Sequence, residues 1–259
     1  MNSTGHLPSR ISITITTIFL ISCLVLTPQA VYADFHAFTP SVADAYIDKL
    51  NPNSNFGSFV MLDLSSGDPN LVMRILLRFD LSSIPPGSTI NVAYLQLFYH
   101  TYGNNDPAGR SLTAYQVTQD WVETESSWNA YKALNPWTTP GGDYSGDGAA
   151  SSTVPSSVSQ WVTWDVTTIV TAWIQGGQPN YGFPIRDPND GSSFLHSLVY
   201  FNSRENSENQ PVLKVDWSTS RPVGGDLNAY QQACSLDSLP CDSRIGWSRH
   251  RLHSSQEEA

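Results

Sequence analysis

Four groups of residues in this chain have types and spacing that could do chemistry. Asp120-Trp121-Val122-Glu123-Thr124-Glu125 sets carboxylates at i and i+2, which on a strand point the same way, about 7 Å apart. Glycoside hydrolysis needs two acids facing each other across a sugar, so this run reads as a solvated face or a turn. Tyr99-His100-Thr101-Tyr102 offers a base and an acid for β-elimination from a uronic acid, but the chain shows no partner for them. Polysaccharide lyase activity is therefore kept only as an alternative. There is no Gly-x-Ser-x-Gly elbow, no His-Glu-x-x-His pair and no phosphate-cradling glycine loop.

The third group is two acidic loops, Asp143-Tyr-Ser-Gly-Asp147-Gly148 and Asp187-Pro-Asn189-Asp190-Gly191. They place oxygen ligands around a glycine, as calcium loops do, yet neither has the full ligand spacing and both match ordinary turns. Calcium at either is an option; no cofactor is otherwise expected, and no catalytic or metal residue is assigned. The fourth group is basic and aromatic. Arg74 and Arg78 lie opposite a strongly apolar strand face, Lys214 opposite Leu213, Val215 and Trp217, and Arg204 follows His196, Leu198, Tyr200 and Asn202 in phase. Such a face can hold a uronate carboxylate bidentately, or its cations can pair with acids such as Asp80. Trp121, Trp128, Trp137 and Tyr144 lie in polar, loop-like surroundings, where aromatics either stack on sugar rings or cap the core edge. These eight are the candidate ligand-binding residues. Trp161 and Trp173 sit on alternating or helical apolar faces and are expected inside.

The elements that must position these residues have a period of two. Met73 to Leu81 and Val92 to His100 alternate strictly, separated by the turn Pro85-Pro86-Gly87. Shorter strands are predicted at Ser58–Leu64, Ser111–Val117, Trp161–Trp164, Phe194–Ser203 and Pro211–Trp217, with the longest loops at Gly103–Gly109 and Thr139–Ser157. One segment follows helical spacing: Val166, Ile169, Val170, Trp173 and Ile174, with Asp165 as N-cap and Gly176-Gly177 as stop. The fold class is all-β, a β-sandwich of jelly-roll type with one short α-helix, built from roughly eight to ten strands.

Composition agrees. The 259 residues carry 13 Lys+Arg against 23 Asp+Glu, a formal charge of −10, with 14% charged and 11% aromatic residues. Low charge argues against helical bundles, and acidity against a nucleic-acid partner. Residues 1–33 read as a secretory signal peptide: Arg10 closes the n-region, Ile11–Leu26 is apolar, and cleavage follows Val31-Tyr32-Ala33. An alternative is a lipobox at Leu20-Ile21-Ser22-Cys23, with lipidation of Cys23. Otherwise no membrane partner is expected after cleavage, and the location is extracellular. Residues 34–217 form the sandwich. Residues 218–259 read as a polar tail, in which Cys234 and Cys241 suit a local disulfide in an oxidising compartment.

Several motifs, in order, carry a family resemblance. They are Ala43-Asp44-Ala45-Tyr46-Ile47-Asp48, Asn51-Pro-Asn53-Ser-Asn55-Phe56-Gly57, Leu76-Leu77-Arg78-Phe79-Asp80-Leu81-Ser82, Tyr115-Gln-Val-Thr-Gln-Asp-Trp121 and Glu125-Ser-Ser-Trp128-Asn129. Trp164-Asp165-Val166-Thr167, Asn180-Tyr181-Gly182-Phe183, Phe201-Asn-Ser203-Arg204-Glu205 and Pro211-Val-Leu-Lys214-Val follow. Over residues 41–217 the chain resembles a DNRLRE domain, the disaggregatase-related group classed with carbohydrate-binding module family 96. The resemblance implies a secreted, non-catalytic β-sandwich that binds an extracellular polysaccharide, an acidic one such as alginate among the group's ligands. Because the chain is acidic, a neutral glycan is also an option; the other alternative is a structural or adhesive surface module. In the group's closing stretch, Pro184 suits an edge strand or a bulge rather than a central strand.

Overall fold

The computed structural model describes residues 33–192 and 196–219. The leader reading, Cys23, and the pair Cys234 and Cys241 lie outside them. Within them the chain forms β1 (His36–Phe38), β2 (Ala43–Asp48), β3 (Met61–Ser66), β4 (Met73–Arg78), β5 (Thr89–Asn104), β6 (Ser111–Val117) and β7 (Ala130–Lys132). It continues with β8 (Asn135–Pro136), β9 (Tyr144–Thr153), β10 (Gln160–Asp165), α1 (Thr167–Ile174), β11 (Phe183–Arg186), β12 (Ser197–Asn202) and β13 (Val212–Ser218).

The main sheet is antiparallel throughout, in the order β1-β13-β5-β12-β3-β4-β11-β6-β9. The long β5 organises one half: β13 pairs with its first part and β12 with its last, while β10 takes the opposite edge from Tyr94 to Tyr99. β4 organises the other half, between β2 and β11. The sheet curls over so that alternate side chains of both halves share one core, including Leu95, Leu97 and Tyr99 of β5, Ile75 and Leu77 of β4, and Trp164 and Phe201. This is the all-β sandwich, with one helix, that the period-two pattern predicts. Helix α1 lays Ile169, Val170 and Trp173 into that core. Its N-cap is Val166 rather than Asp165, one residue later than expected. Asp165 still serves the end from outside, its Oδ1 accepting the Thr167 N–H at 3.1 Å.

Three local expectations are corrected. Tyr144–Thr153, placed in a loop by its small polar residues, is a ten-residue strand, β9, at the sheet edge. A solvated edge strand needs no alternating apolar side chains, because the ladder to β6 holds it. Pro184 lies in a central strand: β11 runs between β4 and β6, but its rungs to β6 begin only at Ile185, so the missing N–H interrupts no rung there. The strands number thirteen among the described residues, because short pairs such as β7 and β8 carry no sequence period.

A second, smaller core lies on the other face of β2 and β4. Ala45, Ile47, Val72 and Leu76 are covered there by Trp121, Trp128 and Trp137 from the segment 118–143. That cover decides the fate of the candidate site.

Candidate functional site

Arg74 and Arg78 share the face of β4 that carries Leu76, as the alternation predicts. The face is not open, however, because segment 118–143 lies over it. The guanidinium of Arg74 sits 5.0 Å above the ring of Trp128, and that of Arg78 5.3 Å above Trp121. Arg78 donates from Nη2 to the Trp121 carbonyl at 2.6 Å and pairs with Asp120 at 3.0 Å.

The three tryptophans expected to offer open faces to sugar rings are buried: Trp121 is 2%, Trp128 7% and Trp137 3% exposed. Their indole N–H groups show why the placement is stable. Trp121 Nε1 donates to the Tyr181 carbonyl at 2.8 Å, and Trp137 Nε1 to that of Ser127 at 2.9 Å. Trp121 and Trp137 are thus buried with their one polar group satisfied. The reverse correction applies to Trp161. Expected inside, it is 39% exposed, because β10 turns Val162 and Trp164 inward and Trp161 out.

Of the eight predicted residues, Arg74 and Tyr144 share a cleft. They line an open cleft of about 660 Å³ with Arg186, Thr118, Gln119 and Thr139, a volume typical of small-ligand sites. Asp190 organises it. Its carboxylate, 4% exposed, accepts Arg74 Nε at 2.7 Å on Oδ2 and Arg186 Nη2 on Oδ1. Arg74 also donates Nη1 to the Gly141 carbonyl at 2.7 Å, and Arg186 donates Nη1 to the Tyr144 hydroxyl. The ring of Tyr144 lies between the Arg186 guanidinium at 5.4 Å and Tyr115 at 4.9 Å. Asp143, also in the lining, spends both oxygens on the amides of Thr138 and Thr139 at 2.8 and 2.9 Å. The cleft therefore presents guanidinium and hydroxyl donors on a fixed support. Arg186 escaped the sequence reading, which placed Asp190 only in a calcium-like loop; the alternation that flagged Arg74 is too short in the four-residue β11 to flag Arg186.

The remaining predicted cations lie elsewhere. Arg204 faces Glu123 at 3.1 Å and Glu205 at 3.7 Å. Lys214 projects from β13 beside Tyr94 of β5, without an ion pair among the described residues. It belongs to the uncovered face of β13, β5 and β10, where Phe98 meets Trp161 edge-on at 5.5 Å and Gln96 donates to Thr163 at 2.9 Å. In the loops that resemble calcium sites, Asp187 faces Arg110 at 3.5 Å and its own turn amide at Asn189, while Asp190 is held by two guanidiniums.

Two bacterial proteins share a short stretch with this chain: the tRNA nuclease WapA of Bacillus subtilis and the tRNA3(Ser)-specific nuclease WapA of Bacillus spizizenii. Each is 32% identical over 76 residues, 29% of this chain. The matched part amounts to 3% of the length of either curated relative. The sequence profile of carbohydrate-binding module family 96 matches residues 36–216, from β1 through β13. With its curled antiparallel sheet accounted for strand by strand over that same range, the chain belongs to carbohydrate-binding module family 96.

Proposed function

We propose that this protein is a secreted, non-catalytic module that binds an acidic polysaccharide of the alginate kind in the cleft between Arg74, Arg186 and Tyr144. Membership of a carbohydrate-binding family supports the ligand class, and the apolar leader supports export. The observation that carries the site is the convergence of two guanidiniums, both lining an open, hydroxyl-lined cleft, on the one buried carboxylate of Asp190. Arginines fixed in this way keep their outward N–H donors in place for a second, incoming carboxylate. Thr118, Thr139 and Gln119 supply groups suited to sugar hydroxyls. With Asp143 and Asp190 counted, the charges of the site balance, so selection rests on directed hydrogen bonds more than on a long-range field.

Affinity electrophoresis of the full chain on alginate and on neutral glucans tests the reading. Alginate should retard the protein, and Tyr144→Ala and Arg74→Gln should abolish the retardation while Lys214→Ala leaves it intact. Loss on Lys214→Ala with retention on Tyr144→Ala would move the site to the uncovered face around Trp161. Absence of retardation on every glycan would sink the binding reading and leave a structural or adhesive module. Release of unsaturated uronate from alginate would instead make the chain a lyase.

A further inference from the structure

Asp44 near the start of β2, Glu123 in the covering segment and Glu205 in the turn after β12 each bring a carboxylate oxygen to a common centre. The three oxygens lie within 4.8 Å of one another. Asp44 is 1% exposed. Its Oδ2 accepts the Ser41 hydroxyl at 2.6 Å and the Arg204 amide at 2.9 Å, but its Oδ1 is buried with no partner. Buried carboxylate oxygens are nearly always paired, and an orphan calls for a proton, a water or an ion. Arg204 touches the other two acids, its Nη1 at 3.1 Å from Glu123 and its Nε at 3.7 Å from Glu205. One guanidinium against three carboxylates leaves a formal deficit of two positive charges.

We propose that Asp44, Glu123 and Glu205 bind a single hard divalent cation, calcium in preference to magnesium. The donor set is all oxygen, with no sulfur or imidazole, which selects this class over zinc or copper. Calcium takes six to eight oxygens in flexible geometry, which suits three carboxylates brought together from separate segments, whereas magnesium demands near-ideal octahedral spacing and keeps several waters. The charge of the ion matches the deficit, and its field supplies what the Asp44 Oδ1 lacks. The site joins three segments distant in sequence, one of them the segment that carries Trp121, Trp128 and Trp137. The bound ion therefore clamps the cover of the second core.

The test uses the full chain, stripped with EDTA and titrated with calcium chloride by calorimetry, with thermal unfolding in parallel. Calcium should bind at one site per chain and raise the melting temperature, magnesium should bind at least tenfold more weakly, and EDTA should reverse the shift. Asp44→Asn should abolish binding. Should that variant fail to fold, Glu205→Gln, at an exposed turn residue, should weaken calcium binding at least tenfold while leaving the melting temperature in EDTA near that of the parent. No heat and no melting shift at about 10 mM calcium, well above the weakest affinities of about 10⁻³ M for extracellular modules, would overturn the proposal. So would full calcium affinity in Glu205→Gln. Neither outcome bears on alginate retardation, so the cation site and the glycan cleft stand or fall separately.

Discussion

Arg74 and Asp190, 116 residues apart in the sequence, meet at 2.7 Å, and both side chains are largely withdrawn from water, 11% and 4% exposed. Asp190 also holds Arg186. This one carboxylate therefore compensates two guanidiniums that desolvation would otherwise penalise. Removing one partner of a buried pair costs far more than an exposed pair is worth, because the remaining charge stays uncompensated. Asp190→Asn should destabilise the protein by roughly 3–5 kcal/mol, read by urea unfolding. A loss under about 1 kcal/mol, the range of surface pairs, would show that the arginines relax into solvent.

The tryptophans give a prediction that separates packing from recognition. Trp121 is nearly fully buried with its N–H satisfied, whereas Trp161 is 39% exposed. Trp121→Ala should cost about 3–5 kcal/mol of stability, and Trp161→Ala about 1 kcal/mol or less. Circular dichroism melts of the two variants decide this, and equal losses would contradict the burial described above.

What the sequence revealed follows from what a short-range pattern can encode. Alternation along β4 puts Arg74, Leu76 and Arg78 on one face, and the structure keeps them there. Alternation cannot say what lies over that face. The cover comes from residues 118–143, whose rings at 121, 128 and 137 are spaced irregularly because each anchors a separate turn. Surrounding polar residues make such a segment look solvated. β9 was hidden for a related reason: its stability resides in backbone rungs to β6, and backbone hydrogen bonds leave no composition signal. The role of Asp190 depends on a long-range meeting, while locally Asn189-Asp190-Gly191 is an ordinary turn. Helix α1, short but periodic and bounded by glycine, is readable because every cue to it is local.

Asp63 makes stability depend on pH. Burial, followed by the charge of Asp48, pushes its carboxyl up from 3.8 to about 6. The folded state thus holds a proton that the unfolded chain releases between about pH 4 and pH 6, so stability is greatest below that window and falls as pH rises through it. Two units correspond to about 3 kcal/mol at most, reduced to roughly 1–2 kcal/mol by partial exposure. Asp63→Asn, measured in EDTA by urea unfolding from pH 4 to pH 7, should flatten this slope. An unchanged slope would assign the titration to another carboxyl.

Gly182 tests how tightly the cleft-side strands are joined. It has φ +87, and a Cβ there would overlap the Leu77 carbonyl oxygen at the end of β4. Its own carbonyl accepts the Val117 N–H at 2.9 Å, and Asn180 beside it donates to the Phe79 carbonyl at 2.9 Å. The turn is therefore bonded to the residue that follows β4 on one side and to β6 on the other, with no room to withdraw. Gly87 has a similar φ of +79, but nothing lies within 4 Å of a Cβ placed there. Both Gly→Ala changes incur the left-handed penalty of about 1–2 kcal/mol, and Gly182 adds the displacement of a packed carbonyl. Gly182→Ala should thus lose roughly 3–4 kcal/mol in total, within the range of backbone-strain mutants, while Gly87→Ala loses only the conformational share. Urea midpoints of the two variants give the difference directly. If they coincide, the close approach of Gly182 to β4 is not what holds β11 in the sheet.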